Sequence, residues 1–155
     1  MKVHLWAFGS SSDSWITEGE NLYVKRIERY FPFEYKIIQP SKSNQKNLVL
    51  TAEAKWLQQQ IEKTPSKLIL LDEHGPQLTS IHFSKKLEKW RQGSHKRLIF
   101  LIGSSYGFDD QIKKSSDEIL SLSSMTLPHQ LCRFLFLEQI YRACTILRGE
   151  SYHHD

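Results

Sequence analysis

The C-terminal third of the chain carries the residue types that can move a proton or hold a nucleobase. His129 opens a long apolar segment, Glu138 lies within it, and Tyr152, His153 and His154 stand close to the end of the sequence. Imidazoles and carboxylates are the usual general acids and bases of enzymes. An aromatic ring beside imidazoles can stack on an unstacked base and hydrogen-bond it. The pattern therefore raises the question of a nucleic-acid enzyme, although such tails are also often disordered.

Structural alternatives compete with each of these assignments. Glu138 precedes Arg142 by four residues, so a simple ion pair on one helix face is the plainer interpretation of that carboxylate. The seven histidines are scattered, and no pair of cysteines has zinc-ligand spacing, so no metal site is predicted. Cys132 and Cys144 are twelve residues apart in one predicted helix, which is too far for a disulfide and favours reduced thiols.

Three loops follow predicted strands and are placed to bind a ligand: "DEHGP", "GSSYG" and "SSMTLPH". In open parallel sheets, ligands bind at the carboxyl ends of the strands. Gly103 and Gly107 would let a ligand approach the backbone closely. With Ser105 they also match the Gly-x-Ser-x-Gly elbow of hydrolases, but only about fifty residues follow, which leaves little room for the acid and the histidine. A hydrolase is the weaker alternative.

The elements that would position these loops alternate along the chain. Buried-strand patterns occur at "VHLWAFG", "FEYKIIQ", "KLILLD", "KRLIFLIG" and "EILSLS". Helical patterns run from Trp15 to Tyr30 before Pro32, through "LVLTAEAKWLQQQIEK", from Ser80 to Arg91, near Gln111 to Lys114, and through "QLCRFLFLEQIYRACTILR". This alternation predicts an α/β fold, a mostly parallel sheet flanked by helices, in one domain over residues 1–155.

Composition limits the setting in which the protein works. The 155 residues are 39% hydrophobic and 25% charged, and no apolar run is long enough to span a bilayer. The N-terminus lacks the pattern of a secretory signal, so a cytoplasmic protein is expected, with no membrane association. A formal charge of +4 is compatible with a nucleic-acid partner without requiring one.

The chain as a whole resembles a known family, the small SPOUT-class methyltransferases that act on N3 of a pseudouridine in large-subunit ribosomal RNA. The resemblance rests on "LWAFG", "LLDEHG", "LIGSSYG" and above all "LSLSSMTLPHQLCRFLFLEQIYRACTILRGESYHH". It implies a C-terminal trefoil knot, S-adenosylmethionine as cofactor, a homodimer, and ribosomal RNA within the assembled ribosome as partner. The cofactor residues that it implies are Leu71, Gly103, Ser123, Ser124, Met125, Thr126, Leu127 and Pro128.

The resemblance also implies roles for the histidines, the carboxylate and the tail of the C-terminal third. Glu138, His129, Tyr152 and His153 become candidates for orienting the base or handling its proton. Arg133, Arg142 and His154 become candidates for contacting RNA, with the tail of one subunit completing the site of the other. Two positions depart from the family pattern: Ser104 replaces a second glycine after Leu-Ile, and His154 stands where relatives often have Arg or Lys.

Two further interpretations stay open at this stage. One is a SPOUT-class methyltransferase with another substrate, such as a transfer RNA. The other is an RNA-binding or ribosome-assembly dimer without catalytic activity, which the side chain at Ser104 makes worth testing. Binding of S-adenosylmethionine separates this last interpretation from the enzymes.

Overall fold

A five-stranded sheet forms the centre of the computed structural model, which describes residues 1–10 and 12–154. The strands are β1 (Lys2–Phe8), β2 (Phe33–Ile38), β3 (Ser66–Leu71), β4 (Arg97–Ile102) and β5 (Glu118–Leu120). They lie in the order β2-β1-β4-β3-β5, and each neighbouring pair is parallel. All five strands therefore end at the same edge of the sheet.

Helices cover both faces of this sheet: α1 (Ser14–Ile27), α2 (Lys46–Ile61), α3 (Ser80–Arg91), α4 (Asp110–Ser115) and α5 (His129–Arg148). Successive side chains of a strand point to opposite faces, and β1 shows the result. Val3 and Leu5 join the core beneath α1, α3 and α5, whereas Trp6 and Phe8 pack against residues of α2 and α4. Burial on both faces explains why the strands read as nearly continuous apolar runs.

This architecture confirms the predicted α/β fold with a parallel sheet flanked by helices. One boundary differs, because α1 ends at Ile27 rather than Tyr30. The backbone N–H of Tyr30 donates to the Ile27 carbonyl at 2.9 Å in a tight turn. Residues just before Pro32 are biased away from helical geometry, so the chain turns early into β2. The trefoil knot, implied by the resemblance, stays a prediction.

The last helix, α5, is largely buried. It contributes Phe136, Leu137 and Ile140 to the core without measurable exposure, as its apolar sequence predicts. Two of its leucines are different: Leu131 and Leu135 are 38% and 37% exposed. No helix among the described residues has both the length and the apolar character needed to cross a membrane.

A buried polar network fixes α5 against α1 and β2. Arg133 is 2% exposed, and its Nη2 donates to Ser12 Oγ at 2.9 Å while its Nε lies 3.6 Å from Glu20 Oε1. Glu20 Oε1 also accepts hydrogen bonds from Ser12 at 2.9 Å and from the Tyr35 hydroxyl at 2.8 Å. These partners compensate two charges that are costly to bury alone.

Candidate functional site

A cleft of about 670 Å³ opens at the carboxyl ends of β3, β4 and β5. These strands are neighbours in the order β4-β3-β5, so the loops that follow them converge. Residues 71–74, 102–110 and most of 121–127 line the cleft, which are the three loops that the sequence singled out. The volume is within the range of small-molecule sites. The predicted meeting of these loops at one edge of the sheet is confirmed.

The loop after β4 is a closed turn that depends on two glycines. The N–H of Gly107 donates to the carbonyl of Ser104 at 2.9 Å, and Gly107 has φ of 77°. A Cβ on Gly103 would lie 2.8 Å from the Gly107 carbonyl oxygen and 3.1 Å from the ring of Phe108. Residue 103 therefore has to be glycine for the turn to close as it does, with its backbone against the cleft.

The loop after β5 presents backbone more than charge. Ser121 Oγ donates to the Ser123 carbonyl at 3.0 Å, and Ser123 Oγ accepts from the Met125 N–H at 3.0 Å. Of the eight residues expected to contact a cofactor, six line the cleft: Leu71, Gly103, Ser123, Met125, Thr126 and Leu127. Ser124 lies outside the lining, and Pro128, also outside it, precedes the first turn of α5. Their contact with a ligand stays a prediction.

An acidic group at the rim was not singled out from the sequence. Asp72 Oδ1 accepts the N–H of His74 at 2.9 Å and lies 2.7 Å from its Nδ1. Burial alone would raise the pKa of Asp72, but these two hydrogen bonds and the nearby His74 and Lys113 lower it overall. The cleft therefore carries an ionised carboxylate directly after β3. The sequence does indicate a carboxylate at this place, since Asp72 of "DEHG" immediately follows a predicted buried strand.

His129 is the one catalytic candidate that lines the cleft. Burial, together with the positive charge of Arg133, lowers the pKa of its imidazole. Its Nδ1 is buried and has no hydrogen-bond partner among the described residues. The ring is therefore neutral at physiological pH and has an acceptor or donor position available on that nitrogen.

The other candidates form a separate group, here called the tail cluster: Glu138, Arg142, Tyr152 and His153. Arg142 donates to Glu138 Oε1 through Nη2 at 2.7 Å and through Nε at 3.0 Å, which confirms the predicted i,i+4 ion pair. The same guanidinium lies 4.7 Å from the centre of the Tyr152 ring, and its Nη1 is 3.2 Å from His153 Nδ1. The tail is thus docked on α5.

Tyr152 is held by three aromatic and acidic neighbours. Its hydroxyl donates to Glu138 Oε1 at 3.1 Å and lies 3.3 Å from the hydroxyl of Tyr23 on α1, and its ring packs on Tyr141. Burial, with the hydrogen bonds to Tyr23 and Glu138, raises the pKa of Tyr152 well above its ordinary value. The phenol therefore stays protonated. Sequence reasoning missed Tyr23, because nothing local marks a contact between residues 129 positions apart.

The tail cluster and the cleft do not share one pocket within a chain. None of the four residues of the tail cluster lines the cleft. Glu138 and His129 lie on the same helix, and nine residues at 1.5 Å each separate them by about 13.5 Å along its axis. A single chain therefore presents two separate groups of candidate residues, His129 at the cleft and the tail cluster further along α5.

The remaining two RNA candidates lie in different environments. Arg133 belongs to the buried network described above, and its guanidinium faces Ser12 and Glu20. A side chain held in this way does not reach a phosphate at the surface, so the geometry assigns Arg133 to the fold. His154 is exposed next to the tail cluster, where contact with RNA stays a prediction.

Cys132 and Cys144 are free, and burial raises the pKa of their thiols to about 11 and about 12. Both are therefore protonated at neutral pH and unsuited to nucleophilic attack. Across residues 1–10 and 12–154, no group of three or more His, Cys, Asp or Glu side chains is arranged to hold a metal ion.

Comparison with known proteins identifies a family from the sequence and similar folds among solved structures. A family model described as predicted SPOUT methyltransferase matches residues 1–153. A protein of Cytophaga hutchinsonii named ribosomal RNA large subunit methyltransferase H is 42% identical over 155 residues, covering 99% of this chain and all of that protein. A protein of the same name from Parabacteroides distasonis is 41% identical over 161 residues, with full coverage of both. In fold, the chain is similar to a probable methylase family protein from Haemophilus influenzae, with a TM-score of 0.58 and 10% identity. The match covers 99% of this chain and 70% of that chain.

Proposed function

Because the chain belongs to the SPOUT methyltransferase family, we propose that it uses S-adenosylmethionine to methylate N3 of a pseudouridine in large-subunit ribosomal RNA. The name shared by its full-length relatives points to that RNA. The observation that carries the proposal is the convergence of three strand-end loops on one cleft, lined by six of the eight residues expected to contact the cofactor. The protein would act in the cytoplasm, on assembled ribosomes.

The residues of the cleft fit this cofactor. Leu71, Ile102 and Leu127 offer apolar walls, while the loops at 103–107 and 121–126 offer backbone donors and acceptors. The ionised Asp72 provides a negative charge within the same cleft, which suits a cationic ligand. When bound, S-adenosylmethionine supplies an electrophilic methyl group on a positively charged sulfur. The protein's part is then to align the acceptor nitrogen with that methyl group and to exclude water.

The acceptor N3 also has to lose its proton. His129 is neutral and faces the cleft, so its ring is equipped to accept a proton or to orient the base. In the tail cluster, Glu138 is engaged by Arg142, Gln139 and Tyr152, so that carboxylate organises the cluster. Protonated Tyr152 and the Arg142 guanidinium remain donors suited to a base edge or a phosphate.

A homodimer would bring the tail cluster of one chain to the cleft of its partner. The tail cluster lies away from the cleft of its own chain, which supports a tail acting in the partner's cleft. Large apolar side chains are exposed on both helices that carry or support the tail: Trp15 (64%) and Leu22 (47%) on α1, and Leu131 and Leu135 on α5. Burying such a surface against a second copy would gain about 25 cal/mol per Å² of apolar area.

The proposal is tested on RNA from cells with and without the gene. Mass spectrometry of digested ribosomal RNA should show one methylated pseudouridine that is present in the parent strain and absent from the deletion strain. The purified protein should restore it on ribosomes from the deletion strain when S-adenosylmethionine is added. Methylation of transfer RNA instead would favour the alternative substrate, and an absence of cofactor binding in calorimetry would favour a non-catalytic RNA-binding dimer.

A further inference from the structure

A buried carboxyl lies behind the cofactor cleft, on the helix that forms one of its walls. Lys46 and Leu50 of α2 line the cleft, and Glu53 follows three residues after Leu50. Glu53 is 2% exposed, and its Oε2 has no hydrogen-bond partner among the residues that the structure describes. A buried acidic group with an unsatisfied oxygen is costly, so its presence calls for a reason.

The hydroxyl of Ser104 is near enough to this carboxyl to lower its pKa. Its Oγ is likewise buried without a closed hydrogen bond in the described part of the chain. Burial raises the pKa of Glu53 to about 7, and the neighbouring Ser104 hydroxyl is the group that pulls it back towards the ionised form. A donor and an acceptor therefore approach each other without completing a well-aligned bond.

The backbone of Ser104 connects this pair to the cleft. Ser104 accepts the Gly107 N–H in the turn that brings Gly103 against the cleft, so any force on the Ser104 side chain acts on that turn. The buried hydroxyl also resolves how a side chain is accommodated where the family pattern has glycine, because its polar atom points into the protein.

We propose that Glu53 is a positioning residue for cofactor binding, which holds the 103–107 turn by accepting a hydrogen bond from Ser104 once the cofactor is bound. Functional hydrogen bonds are often long in the free protein and tighten in the complex. The inference rests on the proposed function, since it concerns the same cleft. Glu53 touches neither cofactor nor RNA, and its effect passes through Ser104.

Calorimetric titration of the full-length protein with S-adenosylmethionine tests this role. Glu53→Leu and Ser104→Ala each remove one partner, and each should weaken cofactor binding about five- to tenfold, the value of one ordinary hydrogen bond. The double variant should bind no more weakly than either single variant, because both remove the same interaction. Glu53→Gln keeps an acceptor oxygen and should bind within about twofold of the wild type.

Melting temperature and steady-state kinetics distinguish the positioning role of Glu53 from a role in fold stability alone. Replacing a buried carboxyl by leucine removes a desolvation cost, so Glu53→Leu should melt no lower than the wild type even though it binds cofactor less well. With saturating cofactor its kcat on ribosomes should be retained and only KM for the cofactor raised. Glu62→Gln changes an exposed carboxyl just after α2 and serves as the control for charge.

The possible results distinguish a failure of this inference from a failure of the proposed function. Failure of the wild type to bind S-adenosylmethionine would overturn both. Binding by the wild type with unchanged affinity in Glu53→Leu or Ser104→Ala overturns the inference alone. Multiplying effects in the double variant also overturn it, because they would show that the two side chains act independently.

Discussion

Glu53 links the stability of the fold to pH at the scale of one residue. Burial raises the pKa of its carboxyl from 4.5 to about 7. Between those values the folded state keeps a proton that the unfolded state has released. The contribution of Glu53 to the free energy of unfolding therefore falls as pH rises from about 4.5 to about 7. Glu53→Gln, which cannot ionise, should melt close to the wild type at pH 5 and above it at pH 8.

Differential scanning calorimetry at pH 5, 6, 7 and 8 measures this difference directly. Glu62→Gln makes the same change at an exposed position. The melting temperature of this variant should differ from that of the wild type by the same small amount at each pH. Parallel curves for Glu53→Gln and the wild type would contradict the prediction, because they would mean that the buried carboxyl has an ordinary pKa.

Gly103 gives a second prediction at this scale. In Gly103→Ala the new Cβ would meet the Gly107 carbonyl oxygen at 2.8 Å and the Phe108 ring at 3.1 Å, so the turn has to open. Affinity for S-adenosylmethionine should fall by about tenfold or more, since backbone groups at the cleft would shift. Calorimetry measures the loss, and Gly93→Ala, after α3, is the matched control. Equal affinities of Gly103→Ala and wild type would show that the turn is not a cofactor wall.

At the scale of elements, the sequence predicted most of what the structure shows. Strands buried on both faces and helices ended by Pro are local patterns, so the order of elements and the meeting of the strand-end loops followed from them. The contacts that the sequence did not predict join residues far apart along the chain. The contact between Tyr23 and Tyr152, the pairing of Arg133 with Glu20, and the approach of Ser104 to Glu53 all depend on how helices pack across the sheet. Spacing along the chain carries no trace of such contacts.

The buried network around Arg133 leads to a prediction of how much the contact between α5 and α1 contributes to the free energy of unfolding. Arg133→Met removes the cation but leaves Glu20 buried and ionisable, which should lower the free energy of unfolding by about 3–5 kcal/mol. Adding Glu20→Gln removes the stranded charge and should recover much of that loss. Urea unfolding of the two single variants and the double variant measures the coupling. Arg133→Met within about 1 kcal/mol of the wild type would mean that the network contributes little to packing.

At the scale of the whole molecule, each chain carries the strand-end cleft and the tail cluster, and the two do not meet. The exposed Trp15, Leu22, Leu131 and Leu135 belong to the two helices that hold the tail. A two-fold axis near this surface would apply each contact twice and place two identical composite sites in the dimer. The proposed arrangement therefore makes activity a property of the pair of chains.

Mixing two chains with different defects tests that arrangement. A chain truncated after Gly149 keeps its cleft but loses Tyr152 and His153, and Gly103→Ala keeps the tail but damages the cleft. If tails act across the dimer, a heterodimer of the two has one intact site, and a random mixture should recover roughly a quarter of wild-type methyl transfer to ribosomes. If each tail served its own cleft, neither chain would have both parts, and the mixture would be no more active than the separate variants. The assay uses a cofactor concentration far below the Kd of Gly103→Ala, so that each variant refolded alone is nearly inactive while remaining dimeric by light scattering. Recovered activity then comes from exchange of subunits.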